Sequence, residues 1–175
     1  MRMWRWPFAA CLVLFVVASL GAAAPGGGQD RRFPDLQLIP LEGGDPLQFS
    51  TFRGRPVLVN FWATWCPPCR AELPELEKVY NRFSGRGLVV ASVNVDRRPE
   101  PARRFVRMQK LTLPFYRISE SALRALGVRS IPTSVLVDGE GRVVRVYQGF
   151  GPNILRDLEA RIEALLPEEA ESGGT

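Results

Sequence analysis

The chain contains no histidine and few sulfur residues, with three cysteines and three methionines among 175 residues. Histidine is the most frequent protein ligand of zinc and haem and the usual proton shuttle near neutral pH, so its absence disfavours sites of those common kinds. The lack of a methionine-rich run also weakens the hypothesis of a copper-handling protein. The net charge of +5 comes from scattered residues rather than from one basic stripe, so we expect no nucleic-acid partner.

The N-terminus has the pattern of a targeting segment. Arg2 and Arg5 precede an uncharged, mostly apolar stretch, residues 8–24, that ends in Gly-Ala-Ala-Ala. A basic start, an apolar run and small residues in this order predict a secretory signal peptide. An uncleaved membrane anchor over residues 1–24 stays open, although the run is slightly short for a membrane span. In both cases we expect the rest of the chain to be exported to the periplasm, either soluble or tethered to the inner membrane.

The remainder of the sequence fits one folded domain with short extensions. Residues 25–32 are rich in glycine and predict a flexible linker, residues 33–167 the domain, and residues 168–175 a disordered tail. The expected elements are strands at 35–39, 46–49, 56–62, 88–95, 113–116, 133–137 and 142–147, and helices at 69–83, 99–110, 120–126 and 153–166. This order predicts an α/β fold in which helices flank a mixed central sheet, with an N-terminal β-hairpin.

The most informative motif is the pair Cys66 and Cys69, at the turn between a buried strand and a helix. Four interpretations of this C-x-x-C motif compete. A structural zinc site needs about four nitrogen or sulfur ligands, and covalent haem attachment needs a histidine where Arg70 stands. A purely structural disulfide would close so short a loop that it would stabilise the fold weakly. A redox-active dithiol is therefore the interpretation that the sequence favours.

The position of each cysteine predicts its role. Cys66 lies at the entrance to the helix, where unpaired N–H groups and the helix dipole favour an anion, so we expect it to be the nucleophile. Cys69, one turn further in, is expected to resolve the mixed disulfide. Trp65 and Pro67 are expected to contact the substrate. Because Pro67 and Pro68 lack N–H donors, the Cys66 thiolate is less stabilised, which favours a reducing couple.

Three segments make the sequence resemble the thioredoxin superfamily, and within it the exported TlpA-like and ResA-like thiol-disulfide oxidoreductases. The segments are residues 58–74 around the cysteines, residues 127–134 and the turn at residues 138–141. The resemblance implies a thioredoxin-like fold with an extra αβ insertion near residues 99–116. It also implies that Pro132 is a cis proline facing the dithiol, and that Ile131 offers its backbone to the extended chain of a partner.

One departure from cytosolic thioredoxin concerns the proton of the second cysteine. Asn60 stands where thioredoxin has a buried aspartate, and asparagine cannot accept or release a proton. Glu72, three residues after Cys69, falls on or near the same helical face and matches an active-site glutamate of the ResA-like proteins. We expect Glu72 to transfer the proton of Cys69. The alternative is an exposed first-turn glutamate stabilised by the helix dipole.

These residues predict an enzyme, a protein-disulfide reductase that needs no cofactor and no metal. The resemblance implies that it reduces disulfides in exported client proteins, in cytochrome c maturation or in assembly of the copper site of a respiratory oxidase. It also implies recharging by a membrane thiol donor of the DsbD/CcdA type, and we expect a monomer. The alternative from another class is a periplasmic copper-binding module or metallochaperone that uses the same two sulfurs. A peroxidase is disfavoured, because the sequence context of a peroxidatic cysteine is missing.

Overall fold

The computed structural model of the chain describes residues 31–167. The predicted signal peptide or anchor, nearly all of the predicted linker and the predicted tail lie outside the described residues. Within residues 31–167, no helix has the length and the apolar character that a membrane crossing requires.

Seven strands and four α-helices follow one another in the described part of the chain. They are β1 (Gln37–Pro40), β2 (Leu47–Gln48), β3 (Val57–Trp62), α1 (Pro67–Phe83), β4 (Val89–Asn94), α2 (Pro99–Gln109), β5 (Phe115–Arg117), α3 (Glu120–Leu126), β6 (Thr133–Val137), β7 (Val143–Gln148) and α4 (Pro152–Leu165). The strands form one sheet in the order β2-β1-β5-β4-β3-β6-β7, in which β3, β4 and β5 are parallel and the other pairs are antiparallel. The predicted thioredoxin-like α/β fold with a mixed sheet is confirmed.

The N-terminal hairpin is present and is shorter than expected. Residues of β1 pair with β2 on one side and with β5 on the other. The inserted unit, α2 with β5, thus links the hairpin to the central strands. Phe49, expected at the end of β2, instead begins a 3-10 helix that runs to Phe52. The reason is tertiary, because Asp35, 15 residues earlier in the chain, accepts the N–H of Ser50 at 2.8 Å and both phenylalanines turn into the core.

Alternation along the strands divides the core between two faces of the sheet. Leu58 and Trp62 point to the side that carries α1, α2 and α4, which we call the α1 face. Val57, Val59 and Phe61 point to the other side, covered by α3 and by residues 33–52, which we call the α3 face. All six residues of β3 are buried, as expected for a central strand covered on both sides.

Helix α1 begins at Pro67, two residues before the expected start at Cys69. Proline suits this position, because the first N–H groups of a helix have no intrahelical acceptor and the fixed φ of proline is already helical. The preceding residue, Cys66, is the N-cap. The turn from β3 into α1 therefore presents the first cysteine at the end of the helix and sends the second into its first turn.

Candidate active site

The two cysteines form a disulfide, with 2.13 Å between the sulfurs and 5.3 Å between the Cα atoms. Cys69 is fully buried, whereas Cys66 keeps 5% of its surface accessible. Pro67 and Pro68, between them, are exposed. Of the two sulfurs, that of Cys66 is therefore the one a partner molecule reaches first.

The Cys66 sulfur has one backbone donor close to it. Its Sγ accepts the N–H of Cys69 at 3.2 Å. The two intervening residues are prolines and have no N–H to give, so Cys69 offers the first amide of the helix. A thiolate at Cys66 would keep this single contact from the helix N-terminus.

A second loop also approaches the same sulfur. The Ile131–Pro132 peptide bond is cis, and the carbonyl oxygen of Ile131 lies 3.7 Å from the Cys66 Sγ. The loop is held by the Thr133 hydroxyl, which donates to the Ser130 carbonyl at 2.7 Å, and by the Gly149 N–H, which donates to the Pro132 carbonyl at 2.8 Å. The structure thus brings Ile131 and Pro132 against the dithiol.

The two tryptophans of the motif lie in contrasting environments. Trp62 is fully buried, and its ring packs against Phe105 and Phe115 with centroids 5.7 and 5.6 Å away. Its indole N–H has no hydrogen-bond partner among the residues that the structure describes. Trp65, directly before Cys66, is 69% exposed. Only Trp65 is available to a partner, whereas Trp62 is a core residue.

Glu72 is buried, with 2% of its surface exposed. Asn60 donates its Nδ2–H to one carboxyl oxygen at 2.9 Å, and the Ser134 hydroxyl donates to the other at 3.4 Å. Burial raises the pKa of Glu72 to about 7, against the two hydrogen bonds, which lower it. The alternative of an exposed first-turn glutamate is therefore wrong, and the carboxyl is able to exchange a proton near neutral pH.

The partners of Glu72 belong to a polar row that crosses three strands on the α1 face. Ser92 on β4 and Ser134 on β6 lie directly opposite Asn60 on β3. The Ser92 hydroxyl donates to the side-chain oxygen Oδ1 of Asn60 at 3.4 Å, and the side-chain Nδ2–H of Asn60 donates to the Ser134 hydroxyl oxygen at 3.1 Å. Neither serine was predicted from the sequence. The available indication was a small polar residue inside each of two mostly apolar strands.

A second buried carboxylate, also missed from the sequence, steadies the loop before the cysteines. Asp96, two residues after the end of β4, accepts the N–H of Thr64 at 3.2 Å and a side-chain N–H of Asn94 at 3.1 Å. These bonds tie the β3–α1 loop to the neighbouring strand. Within residues 31–167, no group of three or more histidine, cysteine, aspartate or glutamate side chains is placed to hold a metal ion.

A thioredoxin-like sheet with a C-x-x-C pair at the start of α1 and a cis proline beside it defines a thiol-disulfide exchange protein of the thioredoxin superfamily. Comparison with family models agrees, because the Redoxin model matches residues 29–165. The chain belongs to the Redoxin family, and within it to the ResA-like and TlpA-like proteins.

Individual relatives of the chain are thiol-disulfide oxidoreductases. The thiol-disulfide oxidoreductase ResA of Halalkalibacterium halodurans is 32% identical over 61% of this chain and 61% of its own length. The ResA of Geobacillus thermodenitrificans is 31% identical over 77% of this chain and 76% of its own length. Among solved structures, a thiol:disulfide interchange protein of Chlorobium tepidum has a TM-score of 0.68 and 26% identity, covering 78% of this chain and 97% of that one. The chain is an oxidoreductase of the thiol-disulfide class.

Proposed function

We propose that the protein is an exported reductase that passes two electrons from the Cys66–Cys69 dithiol to disulfides of extracytoplasmic client proteins. The observation that carries the proposal is the placement of the Cys66 sulfur. It lies between the N-terminus of α1 and the Ile131 carbonyl, and it is more accessible than the sulfur of Cys69. The N-terminal sequence pattern supports export.

The first step is attack by the Cys66 thiolate on one sulfur of the client disulfide. A bond forms between Cys66 and that sulfur, the client disulfide breaks, and the second client cysteine leaves as a thiolate. The extended client chain lies along the Ile131 backbone, as in a strand added to an edge. Trp65 and Pro67, both exposed, give this chain an apolar surface.

The second step releases the client. Cys69 loses its proton and attacks the Cys66 sulfur of the mixed disulfide, which expels the remaining client thiolate and forms the Cys66–Cys69 disulfide. Glu72 takes up the proton, since it lies three residues further along α1 and its pKa of about 7 leaves it part ionised at neutral pH. Asn60 and Ser134 hold the carboxyl in place.

The two prolines support the proposed direction of exchange. With one backbone N–H near the Cys66 sulfur, the thiolate of the reduced protein is weakly stabilised, and a less stable reduced form is a stronger reductant. Suitable clients are apocytochrome c before haem attachment and the copper-site cysteines of a respiratory oxidase, with a membrane thiol donor restoring the dithiol. Equilibration with glutathione tests the direction, because a potential near that of the strongly oxidising DsbA type contradicts it.

The decisive experiment follows reduction of insulin disulfides by the full chain. With protein that has been reduced beforehand, Cys66→Ser should abolish the reduction of insulin, whereas Cys69→Ser should accumulate a mixed disulfide that is captured and identified by mass spectrometry. A Cu(I) titration of the reduced protein, run in parallel, examines the copper-binding alternative. Tight copper binding without insulin reduction would overturn the proposal in favour of that alternative.

A further inference from the structure

A shallow groove, about 440 Å³ in volume, lies beside the dithiol between the β3–α1 loop and α2. Its lining residues include Thr64 from the loop, Arg70 from α1, and Arg104, Phe105 and Met108 from α2, with Glu100 at one side. Arg70 directly follows the buried Cys69, so the groove begins one residue from the reacting disulfide. A chain bound at Cys66 reaches it within a few residues, since each extended residue spans about 3.3 Å.

The groove has an exposed apolar side chain in its lining and another close to it in sequence. Among the described residues, the exposed large apolar side chains are Trp65, Met108 and Val146, and Val146 does not line the groove. Met108 lines the groove, and Trp65 directly follows the lining residue Thr64 along the chain; each has 69% of its surface accessible. Methionine and tryptophan are adaptable contact residues at binding surfaces. The exposed side chains of Met108 and Trp65 therefore indicate that this part of the surface binds another molecule.

The groove is also positively charged. Its lining holds two arginines, Arg70 and Arg104, and one acidic residue, Glu100. Other arginines of α2 are occupied, because Arg107 pairs with Glu42 and Arg103 donates to the Leu41 carbonyl. Arg70 and Arg104 differ, since neither makes an ion pair or a hydrogen bond with the side chains of residues 31–167. Two guanidinium groups are thus free to receive carboxylates beside the dithiol.

We infer that this groove docks client segments whose disulfide cysteine is flanked by acidic residues. The inference rests on the proposed disulfide-reductase function and adds the chemistry of the preferred client. Carboxylates of the client pair with Arg70 and Arg104, where guanidinium groups allow two parallel hydrogen bonds each. Apolar side chains of the same segment cover Trp65 and Met108. The charges act chiefly by steering encounter, so the preference is sensitive to salt.

The test compares two cyclic disulfide peptides that differ only in glutamate or glutamine beside the cysteines. The reduced full chain is mixed with each peptide, and the second-order rate constant is read from tryptophan fluorescence at low and high salt. Two exposed charge pairs predict an acidic-peptide preference of about two- to thirtyfold at low salt. The double variant Arg70→Gln/Arg104→Gln should abolish this preference, and high salt should reduce it.

The control variant Arg55→Gln/Arg82→Gln removes the same charge at the far end of the sheet, before β3 and at the end of α1. It should retain the preference, and every variant should reduce the small neutral bis(2-hydroxyethyl) disulfide at the wild-type rate. Equal rates on both peptides, or a preference that survives the groove variant, overturn the inference while leaving the reductase function intact. Failure to reduce any of the disulfides overturns the proposed function, and the docking inference with it.

Discussion

The two faces of the central sheet are built from the same strands but differ in the side chains that they bury. On β3, the α3 face receives Val57, Val59 and Phe61, all buried in an apolar cluster. The α1 face receives Asn60 between Leu58 and Trp62, and there Asn60 meets Glu72. Because the side chains of a strand alternate, one sequence supplies an uninterrupted core to one side and a polar row to the other.

This difference between the two faces shows that the α1 face contains a group that lowers the stability of the fold and can take part in proton transfer. A buried carboxyl has a free-energy cost that an apolar residue of similar size would not have. The raised pKa of Glu72 reflects this free-energy cost, because burial is the largest cause of the pKa shift. The α3 face carries no comparable group among its described buried residues. We therefore expect substitutions on the α3 face to change stability and substitutions in the polar row to change reactivity.

The largest expected effect is on the α3 face. Phe61→Ala would empty a site that is 1% exposed, and should lower the free energy of unfolding by about 3 to 5 kcal/mol. Chemical denaturation measures the loss. Disulfide exchange by the fraction that remains folded should stay near the wild-type rate. A marked slowing in the folded fraction would mean that the two faces are coupled.

Glu72→Gln should separate stability from activity. In the native state the pKa of Glu72 is about 7, above the ordinary value of 4.5, so folding favours the protonated form. The resulting loss in the free energy of unfolding is nearly absent below pH 4.5, grows as the pH rises towards 7, and reaches its full size above pH 7. Glutamine can still accept from Asn60 through its carbonyl oxygen, but its amide must donate to the Ser134 hydroxyl instead of accepting from it. Because glutamine carries no ionisable group, the stability of the variant relative to the wild type should rise by about 2 to 3 kcal/mol between pH 5 and pH 8.

The same variant should slow exchange, because glutamine cannot take the proton of Cys69, and it should alter the thiol titration. We expect a rate loss on the order of a hundredfold at pH 7, at the low end for a lost acid–base group. Stability is measured by denaturation at each pH, and the rate by insulin reduction. An unchanged rate and thiol titration would remove Glu72 from the mechanism and leave the carboxyl with a structural role.

Ser134→Ala should have a smaller effect on the same group. The serine hydroxyl lowers the pKa of Glu72 by hydrogen bonding, so its removal should raise that pKa further and move the activity profile to higher pH. The lost hydrogen bond should cost about 1 kcal/mol of stability. Ser92→Ala is the matched control, because Ser92 contacts Asn60 and not the carboxyl. Equal shifts in both variants would argue against a direct effect of Ser134.

Trp65→Ala should leave stability within about 0.5 kcal/mol of the wild type, because the side chain is mostly exposed. The expected change is a higher KM for a protein disulfide, with a smaller change for a small-molecule disulfide. Trp62→Ala provides the contrast, since that ring is fully buried and its loss should destabilise the fold. A KM unaffected by Trp65→Ala would remove this residue from the client surface.

Local patterns were enough to predict most of the elements. The apolar run before Cys66 predicted β3, and the turn at residues 138–141 separated the predicted strands 133–137 and 142–147, of which the first is β6 with its observed ends. The helix expected at 120–126 is α3 with the same bounds; the Ser119 hydroxyl before it accepts the N–H of Ala122, and Gly127 after it has φ of 65°. Such signals are local, because caps and turns act over a few residues. The prediction that Phe49 ends β2 was wrong, because tertiary packing overrode the strand propensity of this residue.

What the sequence determined by itself is the dithiol and its order. Cys66 precedes Cys69 at a strand-to-helix turn, with two prolines that supply no N–H, and these facts depend only on neighbours along the chain. What tertiary structure decided is the environment of Glu72. Its burial, and its hydrogen bonds to Asn60 and Ser134, depend on the register of β3 with β6, which joins residues 74 positions apart. Spacing along a helix indicates a shared face, but only packing determines whether that face excludes water and raises a pKa.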